Sequence, residues 1–352
     1  MSGSAVILFN LGGPTSPGTV KPFLFNLFND KAIINLPKPV RWFLAMLISS
    51  RRNPVAQEIY ALMGGKSPIH EETQAQAVAL AKILEERLGR DAAPSVHVAM
   101  RYWGHRAQDV ARELAKNGKK KTLFLPLYPQ FSTTTSLSSI KEWSDVAAST
   151  GIGPAWGGIC CYPVMYGFVK AAADRIRETL AVHEGLAPRL LFSAHGLPTK
   201  VIDSGDPYQW QVERTSAALA AELGDIAADH VVCYQSRVGP LKWIGPSTED
   251  EIKRAGADKT PVLVVPVAFV SEHSETLVEL DIEYRLLAEA VGVPVYLRAR
   301  TVGTHPAFIG GLADLVEAAL RDGGLCSDQG DRNCSLHWSQ CPQQANSQKY
   351  VR

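Results

Sequence analysis

The sequence lacks an excess of charge of either sign and lacks a hydrophobic run long enough to span a bilayer. Its 352 residues carry 36 basic and 35 acidic side chains, a net charge of +1 with histidine neutral. A nucleic-acid-binding protein would need a basic surface, so we expect no nucleic-acid partner. Hydrophobic residues make up 46% of the chain, a composition that excludes a disordered or fibrous protein.

Cysteine is also scarce. The six cysteines are too few for a disulfide scaffold in a chain of this length. The N-terminus MSGSAVILFNLGG shows neither a charged n-region nor a cleavage site, which predicts a cytoplasmic, reducing location. The most apolar window, 39–52, holds about half of the roughly twenty apolar residues that a transmembrane helix needs. This window is either a buried core helix or a helix lying on a membrane surface, inserting Trp42, Phe43, Leu44, Met46 and Leu47 beside Arg41, Arg51 and Arg52.

Short runs rich in Val, Ile and Leu alternate with longer amphipathic stretches, which is typical of parallel strands covered by crossover helices. The runs form two sets of four, at 5–12, 95–102, 121–129 and 155–163 and at 189–198, 230–239, 261–270 and 293–300. Predicted helices include 73–88, 107–117, 166–183, 208–223 and 276–290. The sequence therefore predicts an α/β fold of two similar halves, each a four-stranded parallel sheet flanked by helices.

The predicted domain boundaries follow from this pattern. Residues 1–148 form a first domain, 149–305 a second, and 306–325 a helix that packs back on the first, followed by a cysteine-bearing tail at 326–352. Sheets of this kind bind ligands outside the carboxyl ends of their strands, where the unusual residues of this chain lie. We therefore expect the site in a cleft between the two half-sheets.

Several chemical groups follow the predicted strands. Gly12 and Gly13 follow the first, but neither phosphate-binding glycine motif is present, so a tight turn is the favoured interpretation. His195 ends the run FSAHGLP, and its imidazole can accept a proton or bind a metal. A lone histidine at the end of a strand is more often structural, so His195 alone leaves both interpretations open.

An acidic row follows the strand ending at Val270. Glu275, Glu279 and Glu283 are spaced four apart, which places them on one face of an α-helix. The alternative is a solvated helix face whose first-turn acids complement the helix dipole. Because the row begins at a strand's carboxyl end, we expect it to face the same cleft as His195, where carboxylates could relay protons or escort a divalent cation.

Three cysteines, Cys326, Cys334 and Cys341, lie within a polar tail. In a reducing compartment this clustering favours metal ligation, and both zinc and iron–sulfur sites need a fourth ligand. Cys160, Cys161 and His337 are the candidates for it. Successive strand residues face opposite sides, so we expect only one of the two adjacent cysteines to serve. The alternative is a tail with incidental cysteines.

A set of motifs in this order resembles the ferrochelatase family. The motifs are NLGGP at 10, YALMGGKSPI at 60, RYW at 101, LYPQFS at 127, LFSAHGLP at 191, GDPY at 205, CYQSRVGPLKWIGPST at 233 and VAFVSEHSETLVELDIEY at 267. The resemblance implies two Rossmann-like domains of the class II chelatase type, and insertion of Fe²⁺ into protoporphyrin IX with release of two protons.

The same resemblance implies roles for particular residues. His195 and Glu275 would be the catalytic pair, and with Glu279 they would receive the substrate Fe²⁺. Other residues would contact the porphyrin: Arg51, Arg52, Tyr60 and Ser67 at the propionates, and Arg101, Tyr102, Tyr128, Trp243 and Phe269 along the pocket.

The resemblance further implies a [2Fe–2S] cluster on Cys326, Cys334, Cys341 and either Cys160 or Cys161, although Thr133 replaces the internal ligand of some members. It implies apolar lips that contact the inner face of the cytoplasmic membrane, and it leaves homodimer formation open. Two alternatives are a cobalt or nickel chelatase of a related tetrapyrrole pathway and a non-catalytic haem carrier.

Overall fold

The computed structural model describes residues 3–118, 121–237, 239, 241–330 and 334–343, which form two compact units. The first unit takes its described residues from 1–161, 312–332 and 342–352, and the second from 162–311 and 333–341. The division after residue 161, rather than at 148, follows from strand pairing. A boundary at 148 would separate the fourth strand, Gly157–Cys161, from the third, with which it pairs.

The first unit is built on a parallel sheet with the strand order β2-β1-β3-β4-β9. Central strand β1 is buried along nearly its whole length, which explains its continuous apolar run. The strands are β1 Ser4–Gly12, β2 Ser95–Trp103, β3 Lys121–Pro126, β4 Gly157–Cys161 and β9 Gly324–Ser327. The prediction of four strands was wrong by one here, since β9 has the sequence GLCS, with no apolar run, and is defined by its pairing with β4.

Helices flank this sheet and cover its apolar faces. Helix α2 begins with a proline in its first turn, where the missing amide proton costs no helical hydrogen bond. The helices of this unit that precede β4 are α1 Val20–Phe28, α2 Lys38–Ala61, α3 Ile69–Leu88, α4 Ala107–Lys116 and α5 Ser136–Thr150.

The second unit contains a four-stranded parallel sheet with the order β6-β5-β7-β8. The strands are β5 Arg189–His195, β6 His230–Gln235, β7 Val262–Pro266 and β8 Tyr296–Arg298. This order repeats that of β1 to β4, so the prediction of two similar α/β halves is confirmed. In a sheet of this order the topological switch point lies between β5 and β7, where ligands characteristically bind.

The helices of the second unit are α6 Tyr166–Ala181, α7 Thr199–Asp203, α8 Tyr208–Leu223, α9 Thr248–Ala257 and α10 Tyr284–Ala290, with a π-helix at Glu275–Glu283 directly before α10. Helix α11, Pro306–Asp322, begins in the second unit and ends in the first. Among the described residues, no helix is both long enough and apolar enough to cross a membrane.

Candidate active site

His195 is the last residue of β5, at the switch point of the second sheet. Its Nδ1 lies 2.6 Å from the carbonyl oxygen of Gly196. Because a carbonyl oxygen only accepts, Nδ1 carries the proton of this bond and the neutral ring leaves Nε2 free to take up a proton. The Tyr208 hydroxyl donates to the backbone carbonyl of His195 at 3.0 Å, which holds the end of the strand.

The residue after His195 must be small. The Gly196 amide donates to the carbonyl of Gln235 at 2.8 Å, where the ends of β5 and β6 approach each other. A Cβ atom at position 196 would lie 2.9 Å from that oxygen and 3.4 Å from the ring of Trp243. Glycine at position 196 therefore permits the close approach of the Gln235 carbonyl and of the Trp243 ring.

The acidic row lies on a π-helix, Glu275–Glu283, where the sequence predicted an α-helix. A π-helix has i to i+5 hydrogen bonds and is rare, and it occurs mainly at functional sites. Residues four apart therefore do not stack as they would on an α-helix. Glu283 shows the consequence, because it is exposed whereas Glu275 and Glu279 are partly buried.

Glu275 lies between two imidazoles. Its Oε2 is 3.9 Å from Nε2 of His195 and 3.8 Å from Nε2 of His273. Burial raises the pKa of this carboxyl group, but the charges of His195 and His273 and a hydrogen bond from His273 outweigh it and lower the pKa to about 2. Glu275 is therefore ionised throughout the neutral pH range.

His273 was missed as a functional residue by the sequence analysis, although it stands inside the segment SEHSETL. Its Nδ1–H donates to the Ser271 carbonyl at 3.0 Å, so Nε2 points to Glu275. Burial lowers the pKa of His273, and the contact with Glu275 more than reverses this, so the net shift is upward. The available signal was its position, two residues before the central glutamate at a strand's carboxyl end.

Glu279 is held by four hydrogen bonds. Its Oε1 accepts from the Ser236 amide at 2.8 Å and the Tyr284 hydroxyl at 2.9 Å. Its Oε2 accepts from the Ser236 hydroxyl at 2.6 Å and the Gln235 amide at 3.1 Å. These donors fill the acceptor sites that a carboxylate offers, so the structure does not present Glu279 as an open ligand for iron.

The backbone at Ser236 is bent to make these bonds. Ser236 has a φ of 62°, an uncommon conformation for a residue other than glycine. Burial and the charge of Glu275 raise the pKa of Glu279. The two carboxyl groups of this helix therefore have pKa values shifted in opposite directions, an arrangement typical of acid–base sites.

Two of the predicted pocket aromatics accompany the histidines. Phe269 packs edge-on against His273 with ring centroids 4.6 Å apart. Trp243 is half-buried, and its indole Nε1–H is buried without a hydrogen-bond partner among the described residues. A cavity of about 380 Å³ in this unit adjoins Trp243 and the partners of Glu279, and is lined by Tyr234, Ser236, Arg237, Gly239, Leu241, Lys242, Trp243, Ser247, Glu249 and Tyr284.

In the first unit, Arg101 and Tyr102 make internal contacts. The Arg101 guanidinium donates to Asp30 at 2.8 Å and lies 3.1 Å from Glu142, and the Tyr102 hydroxyl donates to Asp30 at 2.8 Å. Tyr102 is only 1% exposed. Both side chains therefore tie the segment after α1 to the end of β2, rather than presenting free polar groups to a ligand.

Other predicted porphyrin contacts also belong to the first unit. Tyr60 and Ser67 are buried, Arg51 and Arg52 are exposed near the middle of α2, and Tyr128 is half-buried with a pKa raised by burial. Gly13 lies against Ser67, since a Cβ atom at position 13 would approach the Ser67 Cβ to 2.6 Å. The glycine pair after β1 therefore brings this turn against Ser67, in agreement with a role in a tight turn.

The cysteines do not form the predicted ligand set. Among the described residues no group of three or more His, Cys, Asp or Glu side chains is arranged to hold a metal ion. Cys160, Cys161 and Cys326 belong to the first unit, whereas Cys334 and Cys341 belong to the second. Cys334 accepts a hydrogen bond from the buried Gln211 amide at 3.2 Å, and His337 packs edge-on against Trp338.

The expectation that Cys160 and Cys161 face opposite sides of the sheet was wrong. The register of β4 against β9 shifts between Ile159 and Cys161, so the alternation is interrupted at Cys160. Both side chains join one apolar cluster with Phe131 and Leu137, and their sulfur atoms lie 3.4 Å apart.

Comparisons with known proteins identify the family of the chain. The family model described as Ferrochelatase matches residues 3–320. The chain is 50% identical over 343 residues to the ferrochelatase of Caulobacter vibrioides strain NA1000, covering 96% of each, and 51% identical over 321 residues to that of Phenylobacterium zucineum, covering 91% of this chain and 92% of the relative. Among solved structures, SirB from Bacillus subtilis with Fe3+ has a similar fold, with a TM-score of 0.51 at 13% identity, covering 89% of this chain and 94% of that one. With a matched model across nearly its whole length and relatives at half identity, the chain belongs to the ferrochelatase family.

Proposed function

We propose that the protein inserts Fe²⁺ into protoporphyrin IX and releases two protons, with His195 and Glu275 as the catalytic residues. The observation that carries the proposal is the geometry of this pair. In the neutral ring the bond from Nδ1 to Gly196 leaves Nε2 of His195 without a proton, and this atom lies 3.9 Å from the Glu275 carboxylate, whose pKa is lowered. Metallation requires both a base and a negative charge, since two pyrrole protons must leave while a dication sheds water.

In this proposal the two residues divide the work. His195 Nε2 takes up the two pyrrole protons one after the other and passes each to water, and the Glu275 carboxylate stabilises the imidazolium formed each time and attracts the incoming cation. His273 keeps Glu275 ionised and oriented through its own contact at 3.8 Å. Glu279, whose oxygens are filled by four donors, has a supporting rather than a ligand role.

The residues of the first unit would bind the porphyrin. Exposed Arg51 and Arg52 suit the two propionates, because a guanidinium pairs with a carboxylate through two parallel hydrogen bonds. Tyr60, Ser67 and Tyr128 are assigned to porphyrin binding in the same proposal. Arg101 and Tyr102 are assigned to positioning, given their contacts with Asp30.

Turnover with free-base porphyrin and Fe²⁺ under anaerobic conditions tests the activity. The expected result is loss of porphyrin fluorescence together with appearance of the haem absorption spectrum. A haem carrier would bind the ring without metallating it. A cobalt or nickel chelatase would metallate a corrin-type ring in preference to protoporphyrin. Either result contradicts the proposal, and the family assignment favours neither.

We infer in addition that α2 contacts the membrane surface. The first half of this helix exposes an apolar patch of a kind that is usually covered in a soluble protein. The patch comprises Val40, Trp42, Phe43, Met46 and Leu47, whose side chains are 37–55% exposed. Arg51 and Arg52 follow on the same helix but are assigned to the propionates, so the membrane contact is proposed on the apolar patch alone. Arg41, also predicted to face lipid, instead donates to the backbone carbonyls of Asn29 and Leu36.

Co-sedimentation with vesicles of phosphatidylcholine and phosphatidylglycerol tests this contact. The double variant Trp42→Ser and Phe43→Ser is expected to lose most of the bound fraction. The control is Val182→Ser, which removes a 77% exposed apolar side chain of the second unit and should bind as the unaltered protein does. If the patch instead binds a second copy of the chain, the unaltered protein should not bind vesicles. It should elute from a size-exclusion column as a dimer, and the double variant should elute as a monomer.

No step of the proposed reaction uses the [2Fe–2S] cluster, because the described cysteines do not form a ligand set. The cluster prediction has a direct test in the absorption spectrum of protein purified without oxygen. Visible thiolate-to-iron bands that disappear in Cys334→Ser but persist in Cys233→Ser would support the cluster. A colourless protein without iron or inorganic sulfide would contradict it.

A further inference from the structure

Arg298, the last residue of β8, is almost completely buried and binds two carboxylates at once. Its side chain is 7% exposed. Its Nη1 lies 2.8 and 3.0 Å from the two oxygens of Glu272, and its Nε and Nη2 lie 2.8 and 2.5 Å from those of Asp281. All three guanidinium nitrogens are thus engaged, and the ammonium group of a lysine could not reproduce this geometry.

The two carboxylates flank the catalytic residues in the sequence. Glu272 precedes His273 and Glu275, and also accepts the Thr301 amide at 2.9 Å. Asp281 lies within the π-helix, after Glu279. One side chain therefore holds the segment from 272 to 281 at both ends, with Glu275 between them.

A second contact from the same short strand holds the π-helix. The Tyr296 hydroxyl donates to the Leu280 carbonyl at 2.6 Å and is itself buried. A π-helix is normally unstable relative to an α-helix of the same residues. Contacts from β8 at two points of the segment provide the external support that such a conformation needs.

We propose that Arg298 is a positioning residue for metal insertion: by holding Glu272 and Asp281 together it keeps residues 275–283 in the π conformation, which aims Glu275 at His195. This inference rests on the proposed function of Glu275. A slip of this helix toward α geometry would rotate the carboxylate away from His195 while leaving the rest of the unit folded.

The test compares Arg298→Lys with Arg189→Lys. Arg189 is a matched control, since its side chain is 10% exposed and binds two carboxylates, Asp229 and Asp258, in the same unit. It stands at the start of β5, at the opposite end of that strand from His195. Both variants should lower Tm. Only Arg298→Lys should lower kcat, by about tenfold or more, with the KM for porphyrin unchanged.

Hydrogen exchange supplies a readout that a general loss of stability would not give. Amides of 275–283 should exchange faster in Arg298→Lys at a temperature where both variants are folded, and should keep their rates in Arg189→Lys. If Arg298→Lys does not fold, the test uses Asp281→Asn instead, and Asp258→Asn is then the control. A lower kcat and faster exchange of 275–283 are again expected only in Asp281→Asn.

The inference is overturned if kcat falls equally in the two variants of a pair, or if Arg298→Lys keeps kcat within twofold. Its failure is distinct from that of the proposed function. If Glu275→Gln also retains turnover, the assignment of Glu275 fails. If Glu275→Gln loses turnover and Arg298→Lys does not, only the positioning role of Arg298 is wrong.

Discussion

Replacement of His195 by alanine is expected to lower the rate of metal insertion by about 10²- to 10⁴-fold, the usual contribution of a positioned general base. The Nδ1–H bond to Gly196 leaves Nε2 as the proton acceptor, and the His195 side chain is partly exposed whereas that of His273 is buried. Porphyrin binding should persist, because the variant keeps Trp243, Phe269 and the residues of the first unit.

Two measurements on His195→Ala separate catalysis from binding. Quenching of tryptophan fluorescence by added porphyrin should give an affinity close to that of the unaltered protein. Steady-state turnover with saturating porphyrin and Fe²⁺ should fall. Near-normal turnover would remove His195 from the mechanism, whereas loss of porphyrin binding would assign it to binding.

The second large effect is expected for Glu275→Gln, which keeps the size of the side chain and removes its charge. Turnover should fall by about 10²-fold or more, since the cation and the imidazolium lose their only adjacent ionised partner in the proposed mechanism. The matched control is Glu283→Gln on the same helix. Glu283 is exposed, so its variant should stay within about twofold of the unaltered protein.

Titration of His273 provides the electrostatic check on Glu275. Glu275 raises the pKa of His273, so in Glu275→Gln the NMR titration midpoint of His273 should move to lower pH. The pKa of Glu275 also gives the direction in which the free energy of unfolding changes with pH. Because folding lowers this pKa from 4.5 to about 2, the stabilising contribution of Glu275 is present above pH 4.5 and is lost as the pH falls toward 2. Equal losses of turnover and equal drops in Tm for Glu275→Gln and Glu283→Gln would instead indicate a solvated helix face.

The sheet architecture was predictable because apolar runs report burial directly. Strands β1, β5 and β7 are buried on both faces, and each contains consecutive apolar residues in the sequence, AVILF, LLF and VLVVP. Strand β9 shows the limit of this signal. Its four residues include a single long aliphatic side chain, and its conformation depends on hydrogen bonds to β4, from which it is separated by more than 150 residues.

The position of His195 could be predicted for the same reason, since it ends a strong apolar run and precedes glycine and proline. The helix type at Glu275 could not. A spacing of four residues fits an α-helix, and the π conformation depends on partners distant in the sequence, Arg298 and Tyr296. Hydrogen bonds between side chains distant in the sequence could not be predicted either. Asp30, for example, accepts hydrogen bonds from both Arg101 and Tyr102.

The most direct test of the role of His195 is a single-turnover experiment in which metallation and proton release are followed together, with porphyrin absorption and a pH indicator in weakly buffered solution. In the unaltered protein two protons are expected to be released per porphyrin metallated. In His195→Ala, at equal porphyrin occupancy, both signals should slow together by the same factor, about 10²-fold or more. Metallation of bound porphyrin at the unaltered rate in His195→Ala would contradict the central claim that His195, facing Glu275, removes the pyrrole protons.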